Sequence, residues 1–182
     1  MPGRPQELTE TFSTDLPETL ERDIYHLLER VCDAGLKLAT AESCTGGLLA
    51  SLLTDVDGFG HALDRGFVVY TDAAKTEMLG VEPTLLEAHG AVSAPVARAM
   101  AEGALARSEA DIAVAITGFA GPTGGAGEEG LVHFACARAG WPVLQSEMHY
   151  GSIGRGAIRL ESLKTAISLF EQMLEARSTE RE

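Results

Sequence analysis

Leu36-Lys37-Leu38-Ala39-Thr40-Ala41-Glu42-Ser43-Cys44-Thr45-Gly46-Gly47-Leu48-Leu49-Ala50-Ser51-Leu52-Leu53 is the stretch on which the fold turns. Its first six residues alternate like a short strand, its middle is built of small residues, and helical character resumes at Leu48. A strand, a small-residue turn and a helix follow one another without a spacer. Upstream, Leu20, Ile24, Leu27, Leu28 and Val31 recur at helical spacing. Thr14 or Asp15 is placed to cap that helix, Pro17 lies early in it, and Gly35 stops it. Residues 1–14 are polar, with two prolines and a glycine, and read as a loose arm.

Downstream the alternation continues. Gly66-Phe67-Val68-Val69-Tyr70-Thr71 is β-branched and aromatic and predicts a second strand. Asp72 then caps a helix through Lys75, Met78 and Leu79 that Gly80 ends. Ser93 and Pro95 open an alanine-rich helix through about Arg107. Asp111-Ile112-Ala113-Val114-Ala115-Ile116-Thr117 reads as a buried strand that empties into the glycine loop Gly118 to Gly127. Leu131 to Ala137 and Val143 to Tyr150 form a hairpin pair, and a helix follows from Arg155 to Ala176. Residues 178–182 are a polar tail. No repeat or linker divides the chain, so the expectation is an α/β fold: a single three-layer α/β/α sandwich over residues 15–177 with a mixed, mostly parallel sheet.

The composition sets limits. A chain of 182 residues, 45% hydrophobic, suffices for one domain with a real core. Its formal charge of −13 opposes a nucleic-acid partner, which needs a basic footprint. Apolar runs are too short to span a bilayer, and the N-terminus lacks a signal-peptide pattern, so the expectation is a cytoplasmic protein. Cys32, Cys44 and Cys136 are far apart, and the five histidines show no ligand spacing, so free thiols and no metal site are expected.

Open α/β sheets bind ligands beyond the carboxyl ends of their strands, where Ser43, Tyr70 and Thr117 fall. Ser43 is the first candidate nucleophile, because amide groups at the next helix N-terminus would face a developing oxyanion. A helix cap by Ser43 or Thr45 is the alternative. Cys44 ranks below Ser43, since no neighbouring histidine lowers its pKa. Without a compelling histidine, a lysine held neutral by burial or by a neighbouring positive charge is the base to look for, and Lys75 fits, with Tyr70 passing a proton or fixing the serine rotamer through its phenol. Both also fit an ordinary solvated lysine and a strand-end core residue. The glycine loop resembles an anion cradle or an ordinary turn. Arg155 and Arg159, one helical turn apart, suit a phosphate clamp or surface pairing with Glu161.

Taken together, Ala41-Glu42-Ser43-Cys44-Thr45-Gly46-Gly47, Arg65 to Tyr70 with Ala74-Lys75, Leu79-Gly80-Val81, His89 to Ser93 and Ile116 to Pro122 resemble the CinA C-terminal domain family. That family contains stand-alone nicotinamide-nucleotide amidases, which deamidate nicotinamide mononucleotide to nicotinate mononucleotide. The resemblance implies Ser43, Tyr70 and Lys75 as catalytic residues and Cys44, Thr45, Gly46, Thr117, Gly118, Gly121 and Arg155 as substrate-binding. It implies no cofactor, nicotinamide mononucleotide as the small-molecule partner, and a homo-oligomer. A noncatalytic nucleotide-binding protein and an amidase for another small amide are the competing expectations. The chain departs from the family pattern at Glu128-Glu129-Gly130-Leu131, where many members carry Lys-Pro-Val-Gly, and at Ser152, where an Asp is common. Full-length CinA proteins carry a further N-terminal domain, whose activity is not expected here.

Overall fold

A computed structural model describes residues 17–125 and 127–179. The arm and its Thr14 or Asp15 cap lie outside the described residues. The elements are α1 (Glu18–Asp33), β1 (Leu38–Glu42), α2 (Leu48–Leu53), a short 3-10 turn (Gly60–Ala62), β2 (Leu63–Val68), α3 (Asp72–Leu79), α4 (Pro83–His89), α5 (Ala94–Ala106), β3 (Ile112–Gly118), β4 (Leu131–Arg138), β5 (Leu144–His149) and α6 (Arg155–Thr179).

The five strands form one sheet in the order β2-β1-β3-β4-β5. β1 pairs in parallel with β2 and β3, while β3 with β4 and β4 with β5 run antiparallel. The sheet is mixed, as expected. Four of its strands point one way, whereas its ladders divide evenly between parallel and antiparallel. The chain ends that matter therefore gather on one edge: β1, β2 and β3 all finish there.

Side-chain size divides the two faces. Leu38, Ile112, Val114, Ile116, Val132, Phe134 and Cys136 project toward α1, α2 and α6. The opposite face carries Ala39, Ala41, Ala113, Ala115, Ala135 and Ala137, which meet Val96, Ala97, Met100, Ala101 and Ala104 of α5. Alternation along each strand puts bulk on one side and methyl groups on the other. The alanine face lets α5 lie close against the sheet.

Four features depart from the sequence expectation. β2 runs from Leu63 to Val68 in register with β1, so Tyr70 and Thr71 lie past the strand. The cap of α3 is Thr71, whose hydroxyl oxygen accepts the Ala74 amide at 3.1 Å, and Asp72 is the first helical residue. α4 is a seven-residue helix that its short span conceals from periodicity. α6 continues to Thr179, two residues into the stretch read as a tail.

α3 is held against α5 by Gly103, where a Cβ would overlap the Leu79 carbonyl oxygen. Gly103→Ala is expected to push the C-terminal end of α3 away and cost about 1–3 kcal/mol of stability. Calorimetry should show a Tm lowered by roughly 2–4 °C per kcal/mol in a domain of this size; an unchanged Tm would mean that the contact does not constrain α3.

Candidate active site

Ser43 is the first residue beyond β1, and its amide donates to Ile116 O on β3 at 3.0 Å. Lys75 and Leu79, four residues apart, form the buried stripe of α3. The Lys75 side chain is 1% exposed and Ser43 is 7% exposed. Lys75 Nζ lies 3.3 Å from Ser43 Oγ, 3.0 Å from Val69 O and 3.4 Å from Tyr70 O. Burial drives the lysine pKa below its ordinary 10.5, with the charges of Asp72 and Cys44 acting the other way. A neutral amine has two N–H groups and one lone pair. Two carbonyls and one hydroxyl match that inventory when the amine donates to Val69 O and Tyr70 O and accepts the Ser43 proton.

The loop that carries Ser43 is shaped by Glu42, a fully buried carboxylate that the sequence reading passed over. It accepts the amides of Gly47 at 3.0 Å, Leu49 at 3.1 Å and Ala50 at 2.8 Å, and the Thr40 hydroxyl at 3.2 Å. These are orphan donors of the α2 N-terminus, so that helix end is occupied by the protein's own carboxylate. The Thr45 amide has no partner among the described residues and the Cys44 amide meets only its own thiol, so these are the loop donors left over. Neither Ser43 nor Thr45 caps α2; Gly47 does, at φ 96° and with Val68 too near for a side chain to fit easily. The signal for Glu42 was an acid immediately before a helix-opening small-residue run.

Cys44 is buried, and burial pushes its thiol up to about 11, which keeps it protonated near neutrality. Thr45 Oγ1 is buried with no hydrogen-bond partner. Thr117 is buried at the end of β3 and donates its hydroxyl proton to Ala91 O at 2.7 Å. Gly118 proves a packing residue, because a Cβ would strike Leu131 O and Val132 of β4. Gly121 abuts Arg155, whose guanidinium occupies the space of a Cβ there. The glycine loop and the start of α6 therefore meet, next to Gly46, which faces Arg159.

Arg159 Nε donates to Cys44 O at 2.8 Å. Glu161, the alternative partner for these arginines, pairs with Lys164 instead. Glu128 bonds His149 at 2.9 Å, and Glu147 bonds the same ring at 3.0 Å. These carboxylates raise the His149 pKa, so one charge of the divergent acidic stretch is met within the protein.

Tyr70 lies beside the pair of Ser43 and Lys75. It reaches Lys75 through its backbone carbonyl, while its side chain is 66% exposed. The amine meets the serine hydroxyl directly, and no phenol relay connects them. Among the described residues no group of three metal-ligating side chains converges, and no helix is long and apolar enough to cross a membrane.

Residues 19–174 match the CinA C-terminal domain. The chain belongs to that family. A CinA-like protein from Akkermansia muciniphila is 55% identical over 117 residues, which cover 63% of this chain and 28% of that relative. The chain thus spans under a third of the length of this curated relative. Among solved structures, competence/damage inducible protein CihA from Agrobacterium tumefaciens is 46% identical with a TM-score of 0.84, covering 89% of this chain and 99% of that one. A CinA superfamily protein from Escherichia coli is 34% identical with a TM-score of 0.80, covering 94% and 99%.

Glu42→Ala leaves three backbone donors at the start of α2, next to the Ser43 loop, without their acceptor. A loss of about 2–4 kcal/mol in urea unfolding is expected, with faster hydrogen exchange at Gly47, Leu49 and Ala50. Unchanged exchange at these amides would show that water replaces the carboxylate without cost.

Proposed function

We propose that this CinA-family chain is an amidohydrolase that converts nicotinamide mononucleotide and water to nicotinate mononucleotide and ammonia, in pyridine-nucleotide recycling. The observation that carries the reading is the buried Lys75 amine 3.3 Å from Ser43 Oγ. Burying a lysine without a carboxylate partner is costly for a scaffold, and useful for a base that must be neutral near physiological pH.

In the proposed reaction Lys75 takes the Ser43 proton as Oγ attacks the carboxamide carbon. The amides of Cys44 and Thr45 donate to the oxyanion. The Lys75 ammonium then protonates the leaving nitrogen, ammonia departs, and water activated by the same amine hydrolyses the acyl ester, restoring Ser43. Val69 O and Tyr70 O keep the amine oriented throughout. Arg155 and the outer nitrogens of Arg159 suit a phosphate dianion, beside Gly121 and Thr117 as the pocket wall. A binding protein without turnover has no need of a serine joined to a desolvated lysine, which favours the enzyme over that alternative.

Ammonia release from nicotinamide mononucleotide, compared with nicotinamide, nicotinamide riboside and glutamine, tests the assignment. Turnover of the mononucleotide is expected, reduced about 10²–10⁴-fold or more in Ser43→Ala and Lys75→Ala. Turnover of a different amide alone would replace the substrate, and binding without turnover of any amide would sink the enzyme.

The pH profile has a defined sign. The active form is the neutral amine, so kcat/KM rises with pH through the Lys75 pKa and levels above it, with the midpoint below 10.5. A kcat/KM that falls as pH rises from 6 to about 10 would exclude a neutral Lys75 as the base.

A further inference from the structure

We infer that Arg159 is a positioning residue for the oxyanion site, acting through the backbone of the nucleophile loop; this rests on the reading of Ser43 as nucleophile. The peptide linking Cys44 to Thr45 offers two polar groups. Its carbonyl oxygen accepts Arg159 Nε at 2.8 Å. Its N–H, that of Thr45, has no partner among the described residues.

The described peptide bonds include no cis bond. In a trans peptide the C=O and N–H point in opposite directions within one plane. A guanidinium that grips the oxygen from the α6 side therefore turns the N–H toward the opposite side of the loop. It also withdraws electron density from the peptide, making Thr45 N–H a stronger donor.

Few other contacts hold this peptide. The loop is tied at its start by Ser43 N to Ile116 O and at its end by Glu42 to Gly47. Between them the bonds are internal to the loop and α2, Gly46 N to Ser43 O at 3.2 Å and Leu48 N to Thr45 O at 3.3 Å. The Thr45 hydroxyl contributes none. Gly46 and Gly47, both at positive φ, leave the stretch free to rotate unless something outside it sets the plane. Arg159 is the side chain from outside the loop that does so, and its own backbone is fixed by the buried Ile158 beside it.

A phosphate-binding role alone predicts something different, and a phosphate-free reagent separates the two. A neutral alkyl fluorophosphonate phosphonylates Ser43: Oγ bonds to phosphorus, fluoride leaves, Lys75 takes the proton, and the P=O oxygen occupies the oxyanion position. Intact-mass measurement follows the labelling rate, with Ser43→Ala as the blank. Arg159→Lys retains the charge and loses the planar Nε donor. It is expected to slow labelling tenfold or more and to lower kcat for the mononucleotide by a similar factor, with the Tm within a few degrees of wild type. In Arg159→Ala, added ethylguanidinium is expected to restore part of the labelling rate.

Labelling of Arg159→Lys at the wild-type rate, with only KM raised, would overturn the proposal and leave Arg159 as a phosphate ligand. A wild-type Ser43 that resists the probe would overturn it together with the nucleophile reading. Labelling that depends on Arg159 in a protein that hydrolyses no nucleotide would support the proposal and fail the substrate assignment alone.

Discussion

A lysine amine held out of water against a serine hydroxyl is the constraint from which the arrangement follows. Desolvation is tolerable only because Val69 O, Tyr70 O and Ser43 Oγ surround Nζ at hydrogen-bond distance. Two of these three partners are backbone carbonyls just past β2, so the exit of that strand and the position of α3 are part of the site. Gly103 and Leu79 fix α3 on α5, and α5 lies close because six alanines line the sheet beneath it. A chain of small-residue contacts thus runs from the core to the amine.

The Ser43 loop is governed by a second buried titratable side chain, the acid Glu42. Glu42 satisfies the first amides of α2, leaving Cys44 and Thr45 as the donors near Ser43. Lys75 and Glu42 lie on opposite faces of β1 and do not pair. Each is met by backbone groups, the amine by carbonyls and the carboxylate by amides. That division keeps the lysine pKa low, because a direct carboxylate partner would raise it.

Much of the architecture was legible because hydrophobic period and turn residues agree along the chain. The Leu20 to Val31 stripe, the apolar run from Ile112 and the strand pair at Leu131 and Leu144 appear where their patterns place them. Misreadings occurred where the signal is tertiary. The register of β2 follows its pairing with β1 rather than its β-branched residues, which moved Tyr70 out of the strand. α4 is too short to declare a period. The site itself was legible as a set of residue types, but Glu42 drew no reading of its own, and the close packing of Gly118 on Val132 has no local signal.

By itself the sequence determined the alternation of helices and strands, the small-residue turn after β1, and the presence of a serine, a lysine and two arginines at strand and helix ends. Local pattern suffices for these, since periodicity and turn chemistry act over a few residues. Tertiary structure alone decided that Lys75 is buried and touches Ser43, that Tyr70 takes part through its carbonyl, that Glu42 occupies the helix amides, and that Arg159 reaches Cys44. The physical reason is that burial, hydrogen-bond partners and pKa depend on groups 32 residues apart in the Lys75 contact and 115 in the Arg159 contact, a separation on which local periodicity is silent.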